Sequence, residues 1–135
     1  MDQDVEEILK KIQNDLFVLG SDLSDPNIDN KQNRISNKMT EDLEKKIDEF
    51  EQELPPLTNF ILPGGTHSAS LVHLARTVTR RAERNVISLS KTEKINNECQ
   101  VYLNRLSDLL FVIARVLNKR SKTPDIIWEP KKDTL

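Results

Sequence analysis

The sequence predicts an all-α fold, an antiparallel helical bundle that forms a single domain over residues 1–135. All six prolines and all three glycines fall in four short zones, and the segments between these zones have helical periodicity. No stretch alternates apolar and polar residues as a half-buried strand does, so we expect no sheet. With 36% hydrophobic residues, the chain has enough apolar side chains to build a core.

The first two predicted helices span about residues 4–19 and 41–54. The first helix has apolar residues at helical spacing, namely Val5, Ile8, Ile12, Leu16 and Leu19. We expect Thr40 to be the N-cap of the second helix, which ends at Pro55. Residues 21–38 contain few large apolar side chains and are expected to form a solvated, mobile loop.

The third predicted helix follows Gly65 and extends to about Leu89. Its expected buried face consists of Leu71, Ala75, Val78, Ala82, Val86 and Leu89. The fourth helix is predicted over residues 91–120, because Ser90 and Glu93 have the spacing of a capping box. Its middle is apolar nearly all round, so it should be the central, most buried helix of a four-helix arrangement.

Several classes of protein are excluded by composition. The single cysteine, Cys99, cannot form an internal disulfide, and with only two histidines the sequence shows no metal-ligand pattern. The longest apolar run, residues 109–114, is too short to cross a bilayer. The first residues are acidic where a targeting peptide would be basic, so we expect a cytoplasmic protein without a membrane partner.

The charge is divided between the two halves of the chain. The net charge is −2, but residues 1–59 carry −8 and residues 60–135 carry +6. A basic half suggests an anionic ligand, although the chain as a whole is not basic enough to predict nucleic-acid binding.

Four arginines on the third helix are the main functional signal. Arg76, Arg80 and Arg84 are spaced four residues apart, and Arg81 lies beside them. His73 and Glu83 fall in the same arc, and Arg81 lies towards its edge. One interpretation is a solvated face on which Arg80 pairs with Glu83. The other is a polyanion site, because guanidinium donors match phosphate oxygens and like charges at this spacing are destabilising without an anion.

Two further features could contribute to such a site. Asn104 lies on a polar strip of the fourth helix, where its amide could orient a base, ribose or phosphate, whereas Asp108 is expected to pair with Arg105 or Arg115. The link before the third helix contains Phe60 and two adjacent glycines, which let a backbone approach a ligand closely. Taken alone, this link is an ordinary helix start, with Phe60 as a core anchor.

These residues together resemble the signature of PduO-type ATP:cob(I)alamin adenosyltransferases. The resemblance is carried by Phe60-Ile-Leu-Pro-Gly-Gly, by Ala69 to His73, by Ala75-Arg76 and by Arg80-Arg81-Ala82-Glu83-Arg84. It is supported by Gln13-Asn14-Asp15-Leu16-Phe17 and by Tyr102 to Phe111, which includes Asn104-Arg105-Leu106-Ser107-Asp108. It extends over essentially the whole chain.

The resemblance implies a five-helix, ferritin-like bundle that assembles as a homotrimer with active sites between subunits. It implies transfer of the 5′-deoxyadenosyl group of ATP to the cobalt of cob(I)alamin, with triphosphate as the leaving group. Magnesium would arrive with ATP rather than on a dedicated protein metal site. A flavoprotein reductase would supply the electron that reduces cob(II)alamin to cob(I)alamin. Nucleic acid would not be a partner.

The resemblance also implies roles for individual residues. Arg80, Arg81, Glu83, Arg84 and Asn104 would bind ATP. Arg76 would form an intersubunit salt bridge near the corrin, and Phe60 would displace the lower axial base of cobalamin. Arg76, Arg80 and Phe60 would therefore be the catalytic residues.

Family members carry an N-terminal Gly-rich ATP-binding segment and a further helix that have no counterpart in this sequence. The expected explanations are a fragment or a shortened homologue, and the intact arginine cluster favours the fragment. Two alternatives to the transferase are a non-catalytic corrinoid- or nucleotide-binding relative and a helical oligomerisation module.

Overall fold

The computed structural model describes residues 2–130 and has four helices and two short strands within them. The helices are α1 (Gln3–Ser24), α2 (Asn37–Glu51), α3 (His67–Ser90) and α4 (Glu98–Arg120). Strands β1 (Ile61–Leu62) and β2 (Ile126–Ile127) pair in antiparallel fashion. The mainly helical fold is confirmed, but the expectation of no sheet is wrong, because two-residue strands are too short to show an alternating pattern.

Helix α4 is the central helix, as the sequence predicts. It packs extensively against α3 and α2 and less extensively against α1. Its side chains are buried on nearly every face, and Tyr102, Leu106 and Ile113 are fully enclosed. Burial of a large apolar side chain contributes roughly 1.5–3 kcal/mol, so α4 supplies much of the stability of the core. Within residues 2–130, no helix is long and apolar enough to span a membrane.

Helix α1 continues through Gly20, so the expected loop over residues 21–38 is shorter than predicted. The side chain of Asp22, two residues before the end of α1, accepts hydrogen bonds from Arg34 Nη1 at 2.6 Å and from the Ile35 amide at 2.8 Å. Asn96 donates a further 2.8 Å bond to the same carboxylate. These bonds attach the link between α1 and α2 to Asn96, two residues before α4.

Helix α2 begins four residues before its predicted start. The expected cap, Thr40, is buried inside the first turns, and Ser36 is the N-cap, accepting a bond from the Met39 amide. The prediction was wrong because Ser36 is an equally good capping residue and precedes the acidic run.

The predicted capping box at Ser90 is also wrong. Ser90 is the last residue of α3, and its hydroxyl donates a 2.6 Å bond back to the Ile87 carbonyl. Helix α4 starts at Glu98, whose amide donates to the side chain of Asn96 at 3.1 Å. Asn96 in turn donates to the Ile35 carbonyl, so the start of α4 is determined by a long-range contact that the local sequence does not reveal.

The predicted buried face of α3 is rotated relative to the observed one. Val86 is buried as expected, but Leu71 and Val78 are about half exposed. The face that meets the core instead contains Ala69, Val72, His73, Thr79 and Val86. Leu71 and Ala75 line an open groove of about 460 Å³ between α1 and α3. The apolar stripe of α3 therefore extends from the core onto the surface.

Candidate functional site

The arginine face on α3 lies mostly in solvent. Arg80, Arg81 and Arg84 are exposed, and Arg76 is partly buried. Within residues 2–130, the ion pairs include no carboxylate partner for any of these four arginines, so the Arg80–Glu83 pair of the solvated-face interpretation does not form. A row of uncompensated guanidinium groups is destabilising by itself and is suited to an anionic ligand.

Glu83 and Asn104 are brought together by the packing of α3 on α4. The side-chain amide of Asn104 donates a 3.1 Å hydrogen bond to Glu83 Oε2. This bond leaves the amide oxygen of Asn104 and the second oxygen of Glu83 available as acceptors. Glu83 and Asn104 thus form one polar pair, and Arg80 and Arg84 lie on either side of Glu83 on α3. A ligand bound by these arginines could also contact the pair.

Arg76 differs from the other three arginines because it stacks on an aromatic ring. Its guanidinium carbon lies 5.0 Å from the centre of the Phe111 ring, within cation–π distance. Burial and the nearby charge of Arg80 lower the pKa of Arg76, although the group stays charged at any physiological pH. Phe111, which sequence analysis did not single out by itself, therefore fixes the position of Arg76.

His73 contacts the same ring from a buried position. Its imidazole meets Phe111 edge to face, with the ring centres 6.1 Å apart, and only 3% of the residue is exposed. The sequence placed His73 on the arginine arc, whereas it lies in the interface between α3 and α4. Burial and the charge of Arg76 lower its pKa, so the imidazole is neutral at pH 7. We find no hydrogen-bond partner for its Nε2 among the described residues.

Phe60 is not a core anchor, because 78% of it is exposed. Its ring contacts Trp128 edge to face, with the ring centres 6.1 Å apart and the planes at 75°. Its carbonyl accepts a 2.8 Å bond from the Trp128 amide, next to the β1–β2 pairing. Trp128, the only tryptophan of the chain, is not predicted as a site residue from the sequence. The apolar stretch Ile126-Ile127-Trp128 could have indicated a short strand there.

The segment that carries Phe60 is fixed to α4 by buried polar side chains. Asn118 accepts a 2.9 Å bond from the Thr66 amide and donates a 3.0 Å bond to the Gly64 carbonyl. Arg115 donates a 3.0 Å bond to the Pro55 carbonyl and pairs with Asp125. The expected partner of Arg115, Asp108, pairs with Arg105 instead, which was the other predicted arrangement.

Two groups of predicted site residues therefore exist within this chain. The first consists of the arginines with Glu83 and Asn104, and the second consists of Phe60 with its surroundings. In the described part of the chain, no hydrogen bond, ion pair or aromatic contact connects Phe60 to the arginine face. Between residues 2 and 130, no three His, Cys, Asp or Glu side chains converge in a way that could hold a metal ion.

A known family matches most of the chain. The family model described as "Cobalamin adenosyltransferase" matches residues 1–117. A corrinoid adenosyltransferase of Bacillus subtilis is 45% identical over 127 residues, which are 94% of this chain and 65% of the relative. A cobalamin adenosyltransferase of Cupriavidus metallidurans is 41% identical over 98% of this chain and 70% of the relative. The chain thus spans about two thirds of the length of these relatives.

Solved structures agree with the sequence comparison. A variant of the PduO-type ATP:corrinoid adenosyltransferase from Lactobacillus reuteri, in complex with cobalamin and ATP, superposes with a TM-score of 0.88. It is 40% identical, and the match covers 95% of this chain and 72% of that one. A second variant of the same enzyme, in complex with ATP, has the same TM-score and identity.

Proposed function

The chain belongs to the cobalamin adenosyltransferase family, and from this premise we propose that it transfers the 5′-deoxyadenosyl group of ATP to cob(I)alamin. The products are adenosylcobalamin and triphosphate. The observation that carries this proposal is the arginine face of α3, whose four guanidinium groups have no carboxylate partner within residues 2–130, next to the Glu83–Asn104 pair. Relatives and solved structures with the same fold are named for this activity.

In this proposal the arginine face binds the phosphates of ATP. Arg80, Arg81 and Arg84 are exposed and can each donate two bonds to phosphate oxygens. As the 5′ carbon is attacked by cobalt, negative charge accumulates on the leaving triphosphate, and fixed guanidinium groups stabilise it without solvent reorganisation. Glu83 and Asn104 would bind the nucleoside part through their free acceptor oxygens. Magnesium enters as part of the ATP substrate.

Phe60 and Arg76 act on the corrinoid in this proposal. The exposed Phe60 ring displaces the lower axial base and leaves four-coordinate cob(II)alamin, which a flavoprotein reductase can reduce to cob(I)alamin. Arg76, held on the Phe111 ring, forms a salt bridge with an acidic residue of a neighbouring subunit. Its partly desolvated charge supports this role, because burying a cation is costly unless it is paired.

We further propose that the chain forms a homotrimer with sites between subunits, its four helices corresponding to four of the five in the family's bundle. The exposed apolar side chains of Leu71, Leu74 and Val78 on α3 support an interface on this helix. Location in the cytoplasm and the absence of nucleic-acid and membrane partners stay predictions.

The ATP-binding role is tested by replacing Arg80 or Arg84 with alanine. Loss of a charge-assisted bond to phosphate should raise the KM for ATP about tenfold or more, because such bonds contribute roughly 1.5–3 kcal/mol. Far-ultraviolet circular dichroism should be unchanged, since both side chains are exposed. Steady-state kinetics with chemically reduced cob(I)alamin gives the KM directly.

Lys91→Ala is the matched control, because it removes an exposed positive charge just beyond the end of α3. Its KM should equal that of the wild type. If Arg80→Ala and Lys91→Ala have the same KM, the arginine face does not bind ATP. Cobalamin binding without turnover in the wild type would favour the non-catalytic carrier, and binding of neither ligand would favour the oligomerisation module.

A further inference from the structure

We propose that Trp128 is a positioning residue for Phe60, holding its ring where it can displace the lower axial base of cob(II)alamin. The inference rests on the proposed function, and it adds a residue on which reduction of the corrinoid depends. Trp128 acts through Phe60 in this account and does not itself contact cobalt or ATP.

Phe60 and Trp128 are fixed to each other by both backbone and ring contacts. The Trp128 amide donates a 2.8 Å bond to the Phe60 carbonyl. This bond extends the ladder in which Ile61 faces Ile127. The two rings meet at 75°, an edge-to-face geometry that is favourable for aromatic pairs. The position of the Phe60 ring therefore depends on Trp128, the residue that follows β2.

Phe60 has little else to hold its ring. The residue is 78% exposed, so the core does not fix its side-chain rotamer. An exposed side chain exchanges rotamers freely and loses that freedom when it is inserted into a ligand site. Contact with Trp128, which is itself only about half buried, restricts the ring before the corrinoid arrives. We therefore expect the Phe60 ring to be partly ordered before the corrinoid binds.

Strand β2 is in turn anchored to the central helix through Asp125. One oxygen of this carboxylate accepts a 3.3 Å bond from Arg115, and the other accepts a 3.2 Å bond from Asn118. The same two residues of α4 donate bonds to the carbonyls of Pro55 and Gly64. Through Arg115 and Asn118, the Asp125 carboxylate thus connects the residues on both sides of Phe60, Pro55 and Gly64, with strand β2, which Trp128 follows directly.

The test compares Trp128→Ala and Trp128→Phe with Phe60→Ala in two assays. In the first, cob(II)alamin, ATP and a flavin reductant are supplied, so displacement of the lower base is required. In the second, cob(I)alamin is generated chemically beforehand, and no base has to be displaced. We expect Trp128→Ala to lower kcat about tenfold in the first assay and less than twofold in the second, with an unchanged KM for ATP. Trp128→Phe should recover most of the activity.

Absorption and electron paramagnetic resonance spectra of cob(II)alamin with ATP provide the signature that a merely structural role would not change. Trp128→Ala should form less of the four-coordinate species than the wild type at equal cobalamin occupancy. Ile127→Ala is the control, because successive strand side chains point to opposite faces and the backbone pairing stays intact. This control should behave as the wild type in both assays.

Trp128 also reports on the contact without any corrinoid, since it is the only tryptophan. Phe60→Ala should therefore change its emission spectrum in the ligand-free protein. Equal activity of Trp128→Ala and wild type with cob(II)alamin would overturn the positioning role, as would an unchanged fraction of four-coordinate species. A wild type that fails to adenosylate even cob(I)alamin would overturn the proposed function itself, and this inference with it.

Discussion

At the scale of single residues, buried polar groups determine the geometry around the site. Asp22 is 2% exposed and accepts bonds from Arg34, Ile35 and Asn96. Burial alone would raise the pKa of Asp22, but the hydrogen bonds from Asn96, the Ile35 amide and Arg34 outweigh it and lower the pKa below the usual 3.8. The carboxylate is thus stabilised in its charged form in the folded protein.

We predict that Asp22 makes the stability of the fold dependent on pH in the acidic range. Because its folded pKa is depressed, its contribution is fully present above the unfolded value of 3.8 and is lost as pH falls through the folded value. Asp22→Asn should lower the free energy of unfolding by about 2 kcal/mol at pH 7. Urea denaturation at pH 7 and pH 3 measures the effect. A difference between wild type and variant that does not shrink at pH 3 would contradict this explanation.

At the scale of elements, the link between α2 and α3 is shaped by the central helix rather than by its own sequence. Gly65 has a φ of +110°, a conformation that disfavours side chains. A Cβ atom at this position would also collide with the side chain of Asn118. Because Gly65 has no side chain, the Asn118 side chain can approach its backbone and accept a hydrogen bond from the Thr66 amide at the start of α3. Packing against Asn118 therefore requires glycine at position 65.

Gly65 and Gly20 form a matched pair for testing this explanation. Gly65→Ala should lower the free energy of unfolding by about 2–4 kcal/mol, because it adds both backbone strain and a steric clash. Gly20→Ala should raise it by about 0.5–1 kcal/mol, since Gly20 lies inside α1 and nothing is within 4 Å of the added atom. Urea denaturation compares the two variants. If both variants changed the free energy of unfolding in the same direction, packing against Asn118 would not explain the need for glycine at position 65.

The helices and the arginine face could be predicted from sequence because both depend on local periodicity. The start of α4 could not, because it is set by Asn96 and its contacts with Asp22 and Ile35, which are distant in sequence. The exposure of Leu71 could not be predicted either, because periodicity gives an apolar stripe but not which part of it meets α4. Trp128 lies outside every helix, and only the pairing of two short strands brings it to Phe60.

At the scale of the whole molecule, negative and positive charges are concentrated in different halves of the chain. Several acids of the first half form structural contacts: Asp2, Asp4 and Glu53 surround Arg120, which links the start of α1 to the ends of α2 and α4. The arginines of α3 have no such partners within residues 2–130. The arginines of α3 thus form one row of positive charge, which suits the proposed binding of a triphosphate chain.

The most direct test of the central claim is the stoichiometry of the reaction with chemically generated cob(I)alamin and ATP. Adenosylcobalamin is measured by its absorption spectrum, and the phosphate products are separated by ion-exchange chromatography. The proposed mechanism predicts one triphosphate for each adenosylcobalamin formed, because cobalt attacks the 5′ carbon and the phosphate chain leaves intact. ATP consumption without adenosylcobalamin, or release of ADP and phosphate in place of triphosphate, would contradict it.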